Sequence, residues 1–80
     1  MNPDKLIRMA NQIAAFFAHE GAERGAASVA EHLRKFWHPN MRAELLAAIH
    51  SGRAADLVPL ARAAAVRLGA QSNGDLSAAD

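Results

Sequence analysis

The chain has no cysteine, so it has neither a disulfide framework nor a thiolate metal site, and it cannot ligate an iron–sulfur cluster through thiolates. Tyrosine is missing, β-branched residues are few and alanine is abundant, which argues against a sheet and for helices. An excess of either charge is lacking too. Nine basic and eight acidic side chains leave a net charge of +1, too balanced for the electrostatic footprint of a nucleic-acid binder. No apolar run approaches the roughly 18–20 residues that cross a bilayer. The opening Met1-Asn2-Pro3-Asp4-Lys5 has no basic segment followed by an apolar core, so it does not read as a signal peptide. The expectation is a soluble, cytoplasmic protein with no membrane and no nucleic-acid partner.

Eighty residues make one domain. A chain of this size buries only about 60–65% of its extended-chain surface. Without staples it depends on well-formed helix packing or on a partner subunit.

Helical periodicity divides the chain into four segments. Asn2 is a cap, Pro3 suits the first helical position, and Leu6, Met9, Ala10, Ile13, Phe16 and Phe17 then share one stripe of about 120°. Asn11 and Arg8 fall on the opposite side, with Ile7 at the margin. The first helix is expected to fade at 18–21, followed by a connection at 21–25 with glycine at both ends. Ser28 and Glu31 match a capping box that would open the second helix. Its arc holds Val29, Ala30 and Leu33, with Phe36 and Trp37 at the two edges, and Pro39 ends it. The third helix carries Met41, Leu45, Ala48 and Ile49 and stops at Gly52 in a left-handed conformation. The fourth is expected to be capped by Asp56, with Pro59 in its first turn. Its stripe is Leu57, Leu60, Ala61, Ala64 and Leu68, Val66 is outside, and Gly69 closes it. The fold class is therefore all-α, a small bundle of about four short amphipathic helices over residues 1–69. Residues 70–80 form a polar tail expected to be disordered.

No catalytic constellation emerges. The serines read as caps, turns or tail, and the five glycines are scattered rather than gathered in a phosphate loop. His19-Glu20 has the order of a metalloprotease motif, but position 23 is Glu23 and not a second histidine. His38 and His50 suit helix C-termini, so no catalytic, cofactor-binding or metal-binding residue is assigned. A helix-turn-helix about Pro39 would offer base edges only Arg42 and Glu44, a weak reading. Recognition remains. Residues 29–42 hold the single tryptophan and three of the nine basic side chains, and tryptophan and arginine are enriched at interface hot spots.

Met9-Ala10-Asn11-Gln12-Ile13, then Phe16-Phe17, then the run from His32 through Phe36-Trp37-His38-Pro39-Asn40-Met41-Arg42 resemble the delta subunit of NAD-dependent formate dehydrogenases. Asp56-Leu57-Val58-Pro59-Leu60 is similar to the start of that family's last helix, and the likeness spans residues 6–68. His38 stands where the family commonly has an acidic residue. The resemblance implies a non-catalytic accessory subunit that binds no cofactor itself. It would bind the catalytic alpha subunit, and through it the beta and gamma subunits, and support complex integrity or molybdenum-cofactor insertion. The holoenzyme is expected to carry molybdenum or tungsten bis-MGD (bis-pterin guanine dinucleotide), iron–sulfur clusters, FMN and NAD in the other subunits. The alternatives are a dissociable maturation factor for the same enzyme and a small DNA-binding helical regulator. The residues expected at the partner interface are Asn11, Arg34, Trp37, Pro39, Met41 and Arg42. Arg34, Pro39 and Arg42 would meet the outer edge of Trp37, and Asn11, facing away from the core, would be a second contact.

Overall fold

The computed structural model describes residues 2–79, with side chains over 2–69. Among these the chain forms four α-helices and no strand: α1 (Pro3–Phe17), α2 (Ala22–Phe36), α3 (Pro39–His50) and α4 (Pro59–Ala79). A 3-10 turn, Ala18–Glu20, links the first two. The all-α bundle read from periodicity is the one observed. The expected disordered tail, 70–80, falls where side chains lie outside the described residues. No helix among the described residues is long and apolar enough to cross a membrane.

Local chemistry accounts for three of the helix ends. Asn2 Oδ1 accepts the Asp4 amide at 2.8 Å, and Pro3 costs no hydrogen bond at the first position. At the end of α3, Gly52 takes φ 76°. Its amide reaches the Ile49 carbonyl at 3.2 Å, and the Arg53 amide reaches that of Ala48 at 2.9 Å. These two bonds are a Schellman closure, and a side chain at residue 52 would strain it. Between α2 and α3, Pro39 holds His38 extended (φ −62°, ψ 145°), so His38 becomes the N-cap of α3. Its imidazole makes no capping bond. His38→Asp is therefore expected to stabilise the fold by about 1 kcal/mol. Thermal denaturation would show this as a midpoint raised by about 4–8 °C; an unchanged midpoint would mean that the first turn of α3 needs no carboxylate.

Three expected boundaries are corrected. Helix α2 starts at Ala22, not near Ser28, so the connection at 21–25 is helical. The Ser28 hydroxyl lies mid-helix and donates to Glu20 Oε1 at 2.6 Å, so the capping box is not formed. Gly25 is a packing residue rather than punctuation. A Cβ there would lie 3.1 Å from Leu60 Cδ1 and 3.2 Å from the Phe17 carbonyl oxygen, so its absence lets α4 and the end of α1 approach. The third correction concerns α4, which opens at Pro59 rather than after an Asp56 cap and continues through Gly69. Gly69 faces Leu46, with a Cβ position 3.3 Å from its Cδ2.

Helix α2 packs chiefly on α4, and α1 meets each of the other three helices. The core combines Leu6, Val29, Leu33 and Leu45 with fully enclosed alanines, notably Ala10, Ala61, Ala64 and Ala65. Small side chains let the helix backbones close together, which is how so few large residues fill the interior. The buried face of α1 is rotated from its expected stripe toward Ile7 and Ala14, and Phe16 is left 72% exposed. Val66 is exposed, as its position predicts.

Candidate functional site

The sequence placed the recognition surface at the turn between α2 and α3. The structure brings its residues together but largely turns them to the fold's own use. Helix α2 ends at Phe36, and Trp37 takes an extended conformation (φ −91°, ψ 141°), leaving the 100° helical step. Its ring swings into the core and is only 6% exposed. Phe36, expected at the other margin of the same stripe, is 72% exposed. The expected outer edge of Trp37 is therefore not available at the surface, and Phe36 is the exposed aromatic ring of the pair.

Arg42 is engaged by the chain itself. Its Nη1 donates to the carbonyls of Arg34 at 2.9 Å, Trp37 at 3.0 Å and Leu33 at 3.4 Å. These are carbonyls of the last turn and cap of α2, at the negative end of the helix dipole, and that of Leu33 also accepts the Trp37 amide at 3.0 Å. A cation one turn into α3 thus caps the helix before it. Arg34 points outward and bonds Glu31 at 2.6 Å. Pro39 is exposed and Met41 half-buried against the core.

Asn11 is likewise explained by folding. Its Nδ2 donates to the Asp56 carbonyl at 3.0 Å, and its Oδ1 accepts the Val58 amide at 2.9 Å. The Val58 carbonyl receives the first bond of α4, from the Arg62 amide at 3.0 Å, so Asn11 pins the segment from which α4 starts. The Arg62 side chain steadies the same loop by donating to the Ala54 carbonyl at 2.6 Å. Asn11→Ala is expected to cost about 1–2 kcal/mol through two lost hydrogen bonds. Urea unfolding monitored by circular dichroism would detect it, and a change under 0.5 kcal/mol, about the limit expected of an ordinary surface site, would contradict the pinning role.

Sequence reasoning missed a second surface, on the outer faces of α1 and α2. Phe16 and Phe17 meet edge-to-face with centroids 5.1 Å apart. His32 lies 6.2 Å from Phe17 and 4.8 Å from Phe36. The four rings form a continuous ladder, and the two outermost, Phe16 and Phe36, are the most exposed large apolar side chains described. Two shallow clefts share Phe17 and His32. One continues to Ile13 and Gln12, the other to Ala27 and Lys35. Both phenylalanines sat within or beside apolar stripes, so periodicity assigned them to the core. Their exposure depends on the rotation of α1 and on where α2 ends.

The charge around this ladder is balanced locally. Glu31 is bonded by Arg34 at 2.6 Å and approached by Lys35 at 3.4 Å, and the Arg34 hydrogen bond foremost holds its carboxyl below the usual range. A further groove of about 690 Å³ lies between the end of α1 and the start of α4, walled by small side chains such as Ala15, Ala18, Ala22 and Pro59. Among the described residues no three histidine, aspartate or glutamate side chains gather as a metal site would require.

No curated protein and no solved structure matches the chain. One family does, that of the NADH-dependent formate dehydrogenase delta subunit FdsD, over residues 5–65. The matched span runs from the first turn of α1 into α4, taking in Asn11, the aromatic ladder and the Pro39 turn. The chain belongs to the delta-subunit family of NADH-dependent formate dehydrogenases.

Proposed function

We propose that this chain is a non-catalytic accessory subunit that binds the catalytic alpha subunit of a cytoplasmic, NAD-dependent formate dehydrogenase and supports complex integrity or insertion of its molybdenum or tungsten cofactor. The observation that carries the reading is the family match across residues 5–65, which includes nearly the whole folded core. In this reading the redox groups (bis-MGD metal centre, iron–sulfur clusters, FMN and NAD) belong to the other subunits, and the beta and gamma subunits are reached through alpha. The absence of cysteine agrees with that division of labour. The exposed rings of Phe16 and Phe36 give the chain a surface suited to holding a larger protein.

Purification through a tag on this chain, from cells expressing the complete set of formate dehydrogenase subunits, tests the proposal. The expected result is co-purification of the metal-containing subunit at one-to-one stoichiometry under mild salt. Recovery of the chain alone would overturn it. A substoichiometric amount in the mature enzyme would favour a maturation factor that leaves after the metal is loaded.

A further inference from the structure

We propose that the aromatic ladder on the outer faces of α1 and α2, built by Phe16, Phe17, His32 and Phe36, is the surface by which the chain docks on the catalytic subunit, against a neutral and apolar patch of that subunit. This rests on the accessory-subunit reading and adds the location and chemistry of the contact.

Three observations converge on the ladder. First, Phe16 and Phe36 are each 72% exposed, whereas Trp37, the largest side chain in the chain, is buried. Two phenylalanines held in water at one face are a cost that burial against a partner removes. Second, the rings are already in mutual contact, at centroid distances of 5.1, 6.2 and 4.8 Å, so docking orders few side chains anew. Third, charge selects the partner. The two carboxylates at this face, Glu31, paired with Arg34 and Lys35, and Glu20, which accepts from Ser28 at the cleft wall, balance those two cations. A surface for nucleic acid or for an anionic membrane would instead gather unpaired cations. A locally neutral aromatic face is complementary to a neutral apolar one, the pairing found at the centres of permanent subunit contacts. The turn at Pro39 competes poorly for this role, because Trp37 is buried and Arg42 is bound to three carbonyls of its own chain. The groove beside Pro59 is apolar, but its lining, chiefly alanines with Val58 and Leu60, holds no aromatic or arginine side chain of the kind that anchors interfaces.

The test is co-expression of the full chain with the other subunits, comparing wild type with the double variant Phe16→Ser and Phe36→Ser. Truncating the two exposed aromatic rings is expected to weaken retention of the catalytic subunit by about a hundredfold or more. The isolated variant should keep wild-type helicity, because neither ring is buried. Ala27→Arg, which fills one cleft without removing a ring, is expected to impair retention as well, and Val66→Ser on α4 to leave it unchanged. Wild-type retention by both ladder variants would overturn the surface assignment while leaving the subunit reading intact. Failure of the wild-type chain to retain the catalytic subunit would overturn both. An isolated wild-type chain that dimerises through these rings, with the double variant monomeric, would assign the face to a second copy and also overturn the proposal.

Discussion

Trp37→Ala is expected to destabilise the isolated chain by about 3–5 kcal/mol, the usual cost of deleting a large aromatic side chain from a core. An 80-residue protein has only about 4–12 kcal/mol in total, so this one change removes a large share of it. The size of the effect follows from position. The ring is 6% exposed and is the largest side chain in a core built mainly of leucine, valine and alanine, so deleting it leaves a large space for much smaller neighbours to fill. Thermal and urea unfolding by circular dichroism measure the loss, and a cost below 1 kcal/mol would show that the ring is peripheral. Trp37→Phe should retain the fold at a smaller cost. Because the ring faces inward, that variant should also bind the catalytic subunit normally, separating a folding role from an interface role.

The second large effect belongs to Arg42→Ala. The guanidinium supplies a charged donor to the carbonyls of Leu33, Arg34 and Trp37, and it is placed where the dipole of α2 favours a cation. Hydrogen bonds to a charged group contribute about 1.5–3 kcal/mol, and partial access of water to the carbonyls offsets some of the loss, so about 2–3 kcal/mol is expected in all. For a domain of this size that lowers the midpoint by about 10–20 °C. Arg42→Lys, which keeps the charge on a shorter reach, should recover part of it. The single tryptophan sits beside the lost bonds, so its fluorescence should also report a loosened turn before global unfolding. A midpoint within 2 °C of wild type would contradict the capping role.

These two residues also show where sequence was informative and where it was not. Structure set by neighbours within one turn was legible: the Asn2 cap, the break at Pro39, the left-handed Gly52 and the exposed Val66 all occur as read. Readings that depended on distant packing were less secure. Ser28 and Glu31 match a capping box, yet the alanine-rich residues before them extend α2 back to Ala22, and Ser28 turns instead to Glu20. Gly25 looks like a loop residue until Leu60 is seen against it. Asn11 looked superfluous to the fold because its partners, Asp56 and Val58, lie more than forty residues away.

The exposure expected at the edge of Trp37 depended on distant packing in the same way. Trp37 and Phe36 shared one stripe in projection, and that projection assumes a helix running through both. Once Pro39 ends the helix at Phe36, the next residue leaves the periodic pattern and the pair divides into one core ring and one surface ring. Arg42 was placed correctly at the edge of the α3 seam, beside that turn. Its partners are carbonyls of its own chain.

Because the chain contains no native cysteine, a single introduced thiol reports local accessibility in the assembled complex. Gln12→Cys sits on the ladder face beside Phe16, and Asn40→Cys sits at the exposed Pro39 turn. The decisive measurement is the alkylation rate of each thiol in the isolated chain and in the complex, read by mass on this chain alone. The account predicts a rate at residue 12 at least tenfold slower in the complex and an unchanged rate at residue 40. Protection at residue 40 with residue 12 left open would contradict it and return the interface to the turn.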